Sequence, residues 1–250
     1  MSNSYTFTYA GLSVPGQVRS ENQDRWYGNP DNGIYLVADG IASSPEGGLA
    51  ATIIVEVLPN LIEQKLKDFS GNFRNFPLQQ ILTELSDRLY QKTQHQPRLE
   101  GMGSTVVVAV IDQHQGLISH LGDSRAYLWH KRTLQQLTQD HSLANLLLDY
   151  HAISPEEVTY HPSRNQLTHY VGMAQPAQPE VHLVALQPGD RLLLCSDGLT
   201  NMLSQDQILT ILNEQASSQI CCQRLIEWAN LLGGKDNITC IVIERIETFE

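Results

Sequence analysis

Hydrophobic and polar positions along the chain fall into two periods. Tyr5 to Val14 alternates and predicts a strand, Ile34 to Ala38 is a continuous apolar run that reads as a fully buried one, and Leu192 to Cys195 repeats that signature. Leu49 to Leu66 has helical character with Pro59 inside it, which predicts a kink or break. Leu78, Ile81, Leu82, Leu85 and Leu89 share one face of a helix over Leu78 to Thr93. Strands follow at Ser104 to Ile111 and Leu117 to Leu121 around the turn Gln113-His114-Gln115-Gly116, and a hairpin over Ala126 to His130 and Thr133 to Leu137 turns at Lys131-Arg132. Ser204-Gln205-Asp206-Gln207 is a capping box opening a helix to about Gln215. Ser217 to Leu232 is a further helix stopped by Gly233-Gly234, and Ile238 to Ile246 is a closing strand.

No Pro/Gly/Ser-rich linker, low-complexity tract or repeat divides the 250 residues, so one domain over residues 1–250 is expected. A hydrophobic share of 41% supplies a sizeable core. Cys195, Cys221, Cys222 and Cys240 fit no zinc spacing and read as reduced core residues. The formal charge of −11 argues against nucleic acid, which draws on clustered Lys and Arg. The first residues lack a basic and apolar leader, and no stretch approaches the roughly 20 apolar residues that span a bilayer. A cytoplasmic monomer without membrane contact is expected.

The candidate chemistry lies in acidic motifs placed at strand ends. Asp39 follows Ile34 to Ala38, Asp123 follows Leu117 to Leu121 and Gly122, and Asp197 follows Leu192 to Cys195 and Ser196; Asp24 and Asp236 stand in Asn22-Gln23-Asp24-Arg25 and Asp236-Asn237-Ile238-Thr239. Alone, each of these is ordinary turn chemistry. Carboxylates at buried strand ends are costly to desolvate without a positive partner, and a cluster of oxygen ligands lacking thiolate or imidazole suits Mg²⁺, Mn²⁺ or Ca²⁺. Asp140-His141-Ser142 is no catalytic triad, because adjacency in sequence is not triad geometry. His141 is read as structural or as a flap anchor, and His120 as a satisfied core histidine.

The order of the motifs resembles the metal-dependent protein serine/threonine phosphatases of type 2C (PPM), from about Gly11 to Ile243. The resemblance rests on Arg19 to Asp24, Val37-Ala38-Asp39-Gly40, Gly101 to Thr105, His120 to Tyr127, Thr138 to Ser142, His161 to Asn165, Leu194 to Leu199 and Asp236 to Thr239. It implies an α+β layered fold, a central antiparallel β-sandwich flanked by helices on both sides, with a flap-like segment near 149–175. It implies a hydrolase for phosphoserine and phosphothreonine in proteins, using two or three Mg²⁺ or Mn²⁺ ions. In that scheme Asp39 bridges two metals and Gly40 adds its carbonyl. Asp197 and Asp236 complete one metal, Asp24 supports the other through water, and Asp123 with Asp197 matches a third, weaker position. Arg19 matches the arginine that binds the substrate phosphate, a role its bidentate fork suits.

The chain departs from the pattern once. Many relatives read Asp-Gly-Met-Gly-Gly-His where this chain reads Asp39-Gly40-Ile41-Ala42-Ser43-Ser44. Ser44 takes the place of the histidine proposed as general acid, and a hydroxyl is too weak an acid for that task near neutral pH. That substitution sustains an alternative, a catalytically weak phosphoprotein-binding regulator of the same fold. A hydrolase for small phosphoesters is a third reading.

Overall fold

The structure is a computed structural model and describes residues 6–41, 46–94, 96–214 and 216–246. Ser44 therefore lies outside the described residues, as do Tyr5 and Gln215. Among the described residues, ten strands form two five-stranded antiparallel sheets. One runs in the order β2 (Asp24–Asn29), β3 (Ile34–Asp39), β4 (Val106–Asp112), β5 (Gln115–Leu121) and β8 (Glu180–Ala185). The other is β1 (Thr6–Val14), β10 (Ile238–Ile246), β9 (Arg191–Cys195), β6 (Arg125–His130) and β7 (Thr133–Gln136).

The continuous apolar runs are explained by cover on both faces. Ile34, Leu36 and Ala38 of β3 pack with the helices α1 (Gly47–Asp68) and α2 (Leu78–Thr93), while the alternate residues Tyr35 and Val37 face the core between the sheets. The other sheet repeats the division. Leu193, Cys195, Cys240 and Val242 meet α6 (Gln205–Leu212) and α7 (Ser218–Leu231), and Leu192, Leu194, Ile241 and Ile243 face inward. Each such side chain contributes about 1.5–3 kcal/mol by leaving water. The outcome is four layers, helix, sheet, sheet, helix, as the family resemblance implied.

Pro59 is the main correction among the elements. Helix α1 runs unbroken from Gly47 to Asp68 through it. Proline removes one ladder hydrogen bond, but Leu58, Pro59 and Ile62 are all buried on this helix, and that apolar face holds it to the sheet. The hairpin between β6 and β7 turns on Lys131 and Arg132, both at positive φ (45° and 66°), the two-residue geometry that matches strand twist. The turn after β4 is tighter than the four residues expected, since Asp112 already pairs with Gln115. Ser204 and Gln207 form the expected capping box. The strands β2 and β8 and the short helices α3 (Leu143–Asp149), α4 (Pro155–Val158) and α5 (Asp197–Thr200) had no counterpart in the sequence reading. The four cysteines are unpaired and buried. No helix among the described residues is long and apolar enough to cross a membrane.

Candidate active site

Antiparallel pairing collects the acidic motifs at one edge of the sandwich. Asp24 opens β2 and is the register partner of Asp39, which closes β3. Directly opposed like charges destabilise a sheet, so this pair calls for a cation. Asp197 follows the end of β9 and Asp236 precedes the start of the neighbouring β10. Asp123 follows β5 across a Gly122 at φ 108°. A cleft of about 400 Å³ is lined by Asp39, Asp123, Asp197 and Asp236 together with Arg19 and Gly40. Asp24 is buried and contributes no wall to that cleft.

Local packing explains why the chain carries glycine beside two of these acids. A Cβ on Gly198 would lie 1.9 Å from the Asn237 carbonyl oxygen, so only glycine lets α5 approach the start of β10 and bring Asp197 toward Asp236. A Cβ on Gly40 would lie 2.3 Å from the Gly47 carbonyl carbon at the head of α1.

The carboxylates are under electrostatic stress. Burial, and then the charges of Asp24, Asp197 and Asp123, hold the Asp39 carboxyl well above the usual range. Burial also pushes up Asp123, with Asp197 and Asp140 adding to the shift. Asp197 is raised to about 6 by burial and by Asp236 and Asp24. Asp24 is raised by burial; its Oδ2 accepts the Ser196 hydroxyl at 2.7 Å, while its Oδ1 is buried with no hydrogen-bond partner. Arg19 answers only part of this negative charge, donating to Asp236 Oδ2 at 2.8 Å.

An unpartnered buried carboxylate oxygen beside a cluster of raised acids fits a hard divalent cation, and nothing in the donor set is soft. Among the described residues no three His, Cys, Asp or Glu side chains are already closed into a metal cage. Carboxylates spread around an open cleft are compatible with ions that keep part of their water shell, as Mg²⁺ does.

Several residues without an assigned role hold the site together. Asn237 accepts the Gln23 amide at 2.9 Å and donates to the carbonyls of Pro15 and Glu21 at 3.1 and 2.8 Å, clamping the Arg19 loop to β10. Thr105 Oγ1 accepts the Asp39 amide at 3.2 Å and pairs with Ser124 at 2.7 Å. An asparagine or a threonine beside a motif carries no sequence signal for such a role; the partners are distant in the chain. Arg125 grips Asp140 through two 2.7 Å hydrogen bonds, so Asp140 is occupied by an arginine and not by a histidine.

His141 accepts the Gly122 amide on Nδ1 at 3.3 Å, stacks on His120 at a centroid distance of 4.3 Å and meets His169 edge to face at 5.0 Å. Burial lowers its pKa to about 3, so it is a neutral prop between the Asp123 loop and the following segment. His120 is only half satisfied: Nε2 meets the Gln139 carbonyl at 2.7 Å, and Nδ1 is buried without a partner.

Two stacked antiparallel sheets between helical layers, with a carboxylate-lined cleft at one edge, are the architecture that the resemblance to type 2C phosphatases implied. The family model for protein phosphatase 2C matches residues 17–228. The serine/threonine phosphatase stp of Listeria monocytogenes is 34% identical over 92% of this chain and 92% of its own length. The protein phosphatase PhpP of Streptococcus pneumoniae is 33% identical over 94% of this chain and 96% of its own. Among solved structures, the serine/threonine phosphatase PstP/Ppp of Mycobacterium tuberculosis is similar with a TM-score of 0.86 and 30% identity, covering 97% of this chain and all of that one. The catalytic domain of PstP has also been solved in complex with two manganese ions, and that structure matches with a TM-score of 0.82 and 28% identity over 97% of this chain and all of that one. The chain belongs to the protein phosphatase 2C family, and it is a protein phosphatase.

Proposed function

We infer that this chain hydrolyses phosphoserine and phosphothreonine in proteins by a metal-dependent mechanism, within a single catalytic domain in which the segment 149–175 forms a flap. The observation that carries the reading is the convergence of Asp24, Asp39, Asp197, Asp236 and Asp123 on one edge, where burial and mutual repulsion raise the carboxyls of Asp24, Asp39, Asp123 and Asp197 and one buried oxygen of Asp24 has no hydrogen-bond partner. Asp39, the Gly40 carbonyl, Asp197, Asp236, Asp24 and Asp123 are the groups that would hold the ions, directly or through water. Mg²⁺ or Mn²⁺, when bound, supplies an activated water and positive charge beside the phosphoryl oxygens.

The remaining work falls to the protein. Arg19 reaches the cleft from a loop fixed by Asn237 and presents its guanidinium to the phosphate oxygens; its present partner Asp236 is the group it would share or exchange. Thr105 fixes the end of β3 through the Asp39 amide, and so orients that carboxylate. The buried, unpaired cysteines fit a reducing compartment, which supports placing the protein in the cytoplasm. Its acidic charge argues against nucleic acid and anionic membrane surfaces as partners, since both draw on clustered Lys and Arg. We take it to act as a monomer, which sedimentation checks.

A metal-titrated assay comparing an aryl phosphate with a phosphothreonine peptide tests the reading. Hydrolysis of both, dependent on Mg²⁺ or Mn²⁺ and abolished by chelator and by Asp39→Asn, is expected. Undiminished turnover in excess chelator would overturn the metal mechanism.

A further inference from the structure

A second cavity of about 490 Å³ opens beside the cleft and shares Asp123, Asn165 and Asp197 with it. A phosphorylated residue held in the cleft therefore sends its chain neighbours along this cavity, since three residues of extended chain reach about 10 Å. The core side of the cavity has little left to offer an incoming charge. Arg125 is engaged by both oxygens of Asp140 at 2.7 Å and by the Tyr127 hydroxyl at 3.0 Å.

The opposite wall differs. Arg164 stands there exposed, making one long hydrogen bond of 3.4 Å from Nη1 to the Thr159 carbonyl and no ion pair among the described residues. Its backbone, by contrast, is fixed. The Arg164 amide bonds to the His161 carbonyl at 3.1 Å, and the next turn is closed by Gln166 on Ser163 at 3.1 Å. Three residues on, Leu167 is bridged to Ser142. A guanidinium on a held backbone with an uncommitted fork is free to take an anion, because no carboxylate competes for it and only the side chain remains to be ordered on binding.

We propose that this second cavity is a specificity subsite in which Arg164 takes an anionic oxygen group, a carboxylate or a second phosphate, carried by a residue flanking the phosphorylated one. Asn165, which lines both cavities, sits where the substrate backbone passes from one to the other. The inference rests on the phosphatase reading of the cleft and adds to it the class of substrate: phosphoprotein segments with acidic or doubly phosphorylated surroundings.

The test uses fluorescently labelled peptides carrying a non-hydrolysable phosphonate analogue of phosphothreonine, with full-length protein in Mn²⁺. Binding is read by anisotropy, so the preference is measured whether or not turnover occurs. Peptides with neutral flanks are compared with sets bearing one glutamate, or a second phosphothreonine, at each position up to three residues to either side. Wild type should favour at least one anionic position by roughly three- to tenfold, between the effect of an exposed ion pair and that of a charge-assisted hydrogen bond. Which set shows it separates a carboxylate from a phosphate as the natural partner. Arg164→Ala should erase the preference, Arg164→Lys should keep part of it, and Arg164→Glu should transfer it to peptides with a lysine at that position. Equal affinity of wild type for neutral and anionic flanks overturns the proposal. So does an Arg164→Ala variant that weakens every peptide by the same factor, because Arg164 would then be holding the hydrolysed phosphate itself. Hydrolysis of the matching phosphothreonine peptides, followed separately, reports on the phosphatase reading alone.

Discussion

Replacing Asp197 with asparagine should stabilise the metal-free protein while removing its response to metal. The Asp197 carboxyl is raised from 3.8 to about 6 by burial and by Asp236 and Asp24. A gap of about 2 units at 1.36 kcal/mol each puts an upper bound of roughly 3 kcal/mol on the cost of ionising it in the folded state. Part of that is offset by its place in the first turn of α5, where a negative charge gains up to about 1 kcal/mol. Asparagine keeps an oxygen for the Asn201 amide, which donates to Asp197 Oδ2 at 2.9 Å. The expected net gain is therefore about 2 kcal/mol above pH 6, or about 4 to 8 °C in Tm for a chain of this size. Its pH dependence has a definite sign. A group whose folded pKa is raised contributes stability that is fully present below pH 3.8 and is lost as pH rises to about 6. The difference between variant and wild type should thus be near zero at pH 4, grow to pH 6 and stay flat above. Thermal and urea unfolding of both proteins in chelator, from pH 4 to 8, measure it. With Mn²⁺ added, wild type should gain stability by mass action and the variant much less. A variant less stable than wild type at pH 7 in chelator, or a difference independent of pH, would refute the view that the acids are stressed without a cation.

The other predictions concern single positions. Arg19→Ala should weaken phosphate-ester binding by about 1.5–3 kcal/mol, the worth of a charge-assisted hydrogen bond, with metal affinity kept; unchanged KM and kcat would return Arg19 to the role of a surface ion pair with Asp236. Gly198→Ala should drive α5 away from the Asn237 carbonyl, lowering metal-dependent turnover more than a distant exposed substitution such as Gly189→Ala, whose Cβ has nothing within 4 Å but whose φ of 85° costs stability; equal turnover in the two variants would show that the close approach does not position Asp197. If Ser44 replaces the histidine proposed as general acid, as the family resemblance implies, wild type should turn over phosphopeptides disproportionately slowly against aryl phosphates, whose leaving phenolate needs little protonation. General acid catalysis is worth about 10² to 10⁴ in rate, so Ser44→His should narrow that gap through kcat; no gap in wild type and no change in leaving-group dependence would remove position 44 from the chemistry.

What the sequence made legible follows from what each residue packs against. Strands β3, β4, β9 and β10 are covered on both faces, so their apolar runs announce them. Helix α2 shows its buried stripe because its other face is polar. Strands β2 and β8, the two edges of one sheet, were opaque for the opposite reason. β2 lies at the rim of its sheet, half-buried over most of its length, and its Asp-Arg-Trp-Tyr-Gly-Asn sequence has neither clean alternation nor a continuous apolar run. A break at Pro59 was over-read because a propensity argument omits the tertiary burial that keeps α1 continuous through it.

The acids were visible as a set, although their contacts were not, and topology accounts for both facts. In an antiparallel pair the end of one strand lies beside the beginning of its neighbour. Acids placed after β3, β5 and β9, and before or at the start of β2 and β10, must therefore arrive at a common edge once the sheets close. Position relative to strand ends was thus enough to collect the carboxylates without knowledge of the register. The facing of Asp24 and Asp39, the Ser196 hydroxyl on Asp24 and the Asn237 clamp depend on pairings separated by up to 222 residues, as for Asn237 and Pro15, and no local pattern encodes them. The glycines sit between these two cases. Asp39-Gly40 and Asp197-Gly198 read as turns, yet in the fold each glycine is the point where a neighbouring backbone comes within reach of a missing Cβ. The same dipeptide thus sets the carboxylate at the strand end and admits the element that closes the site around it.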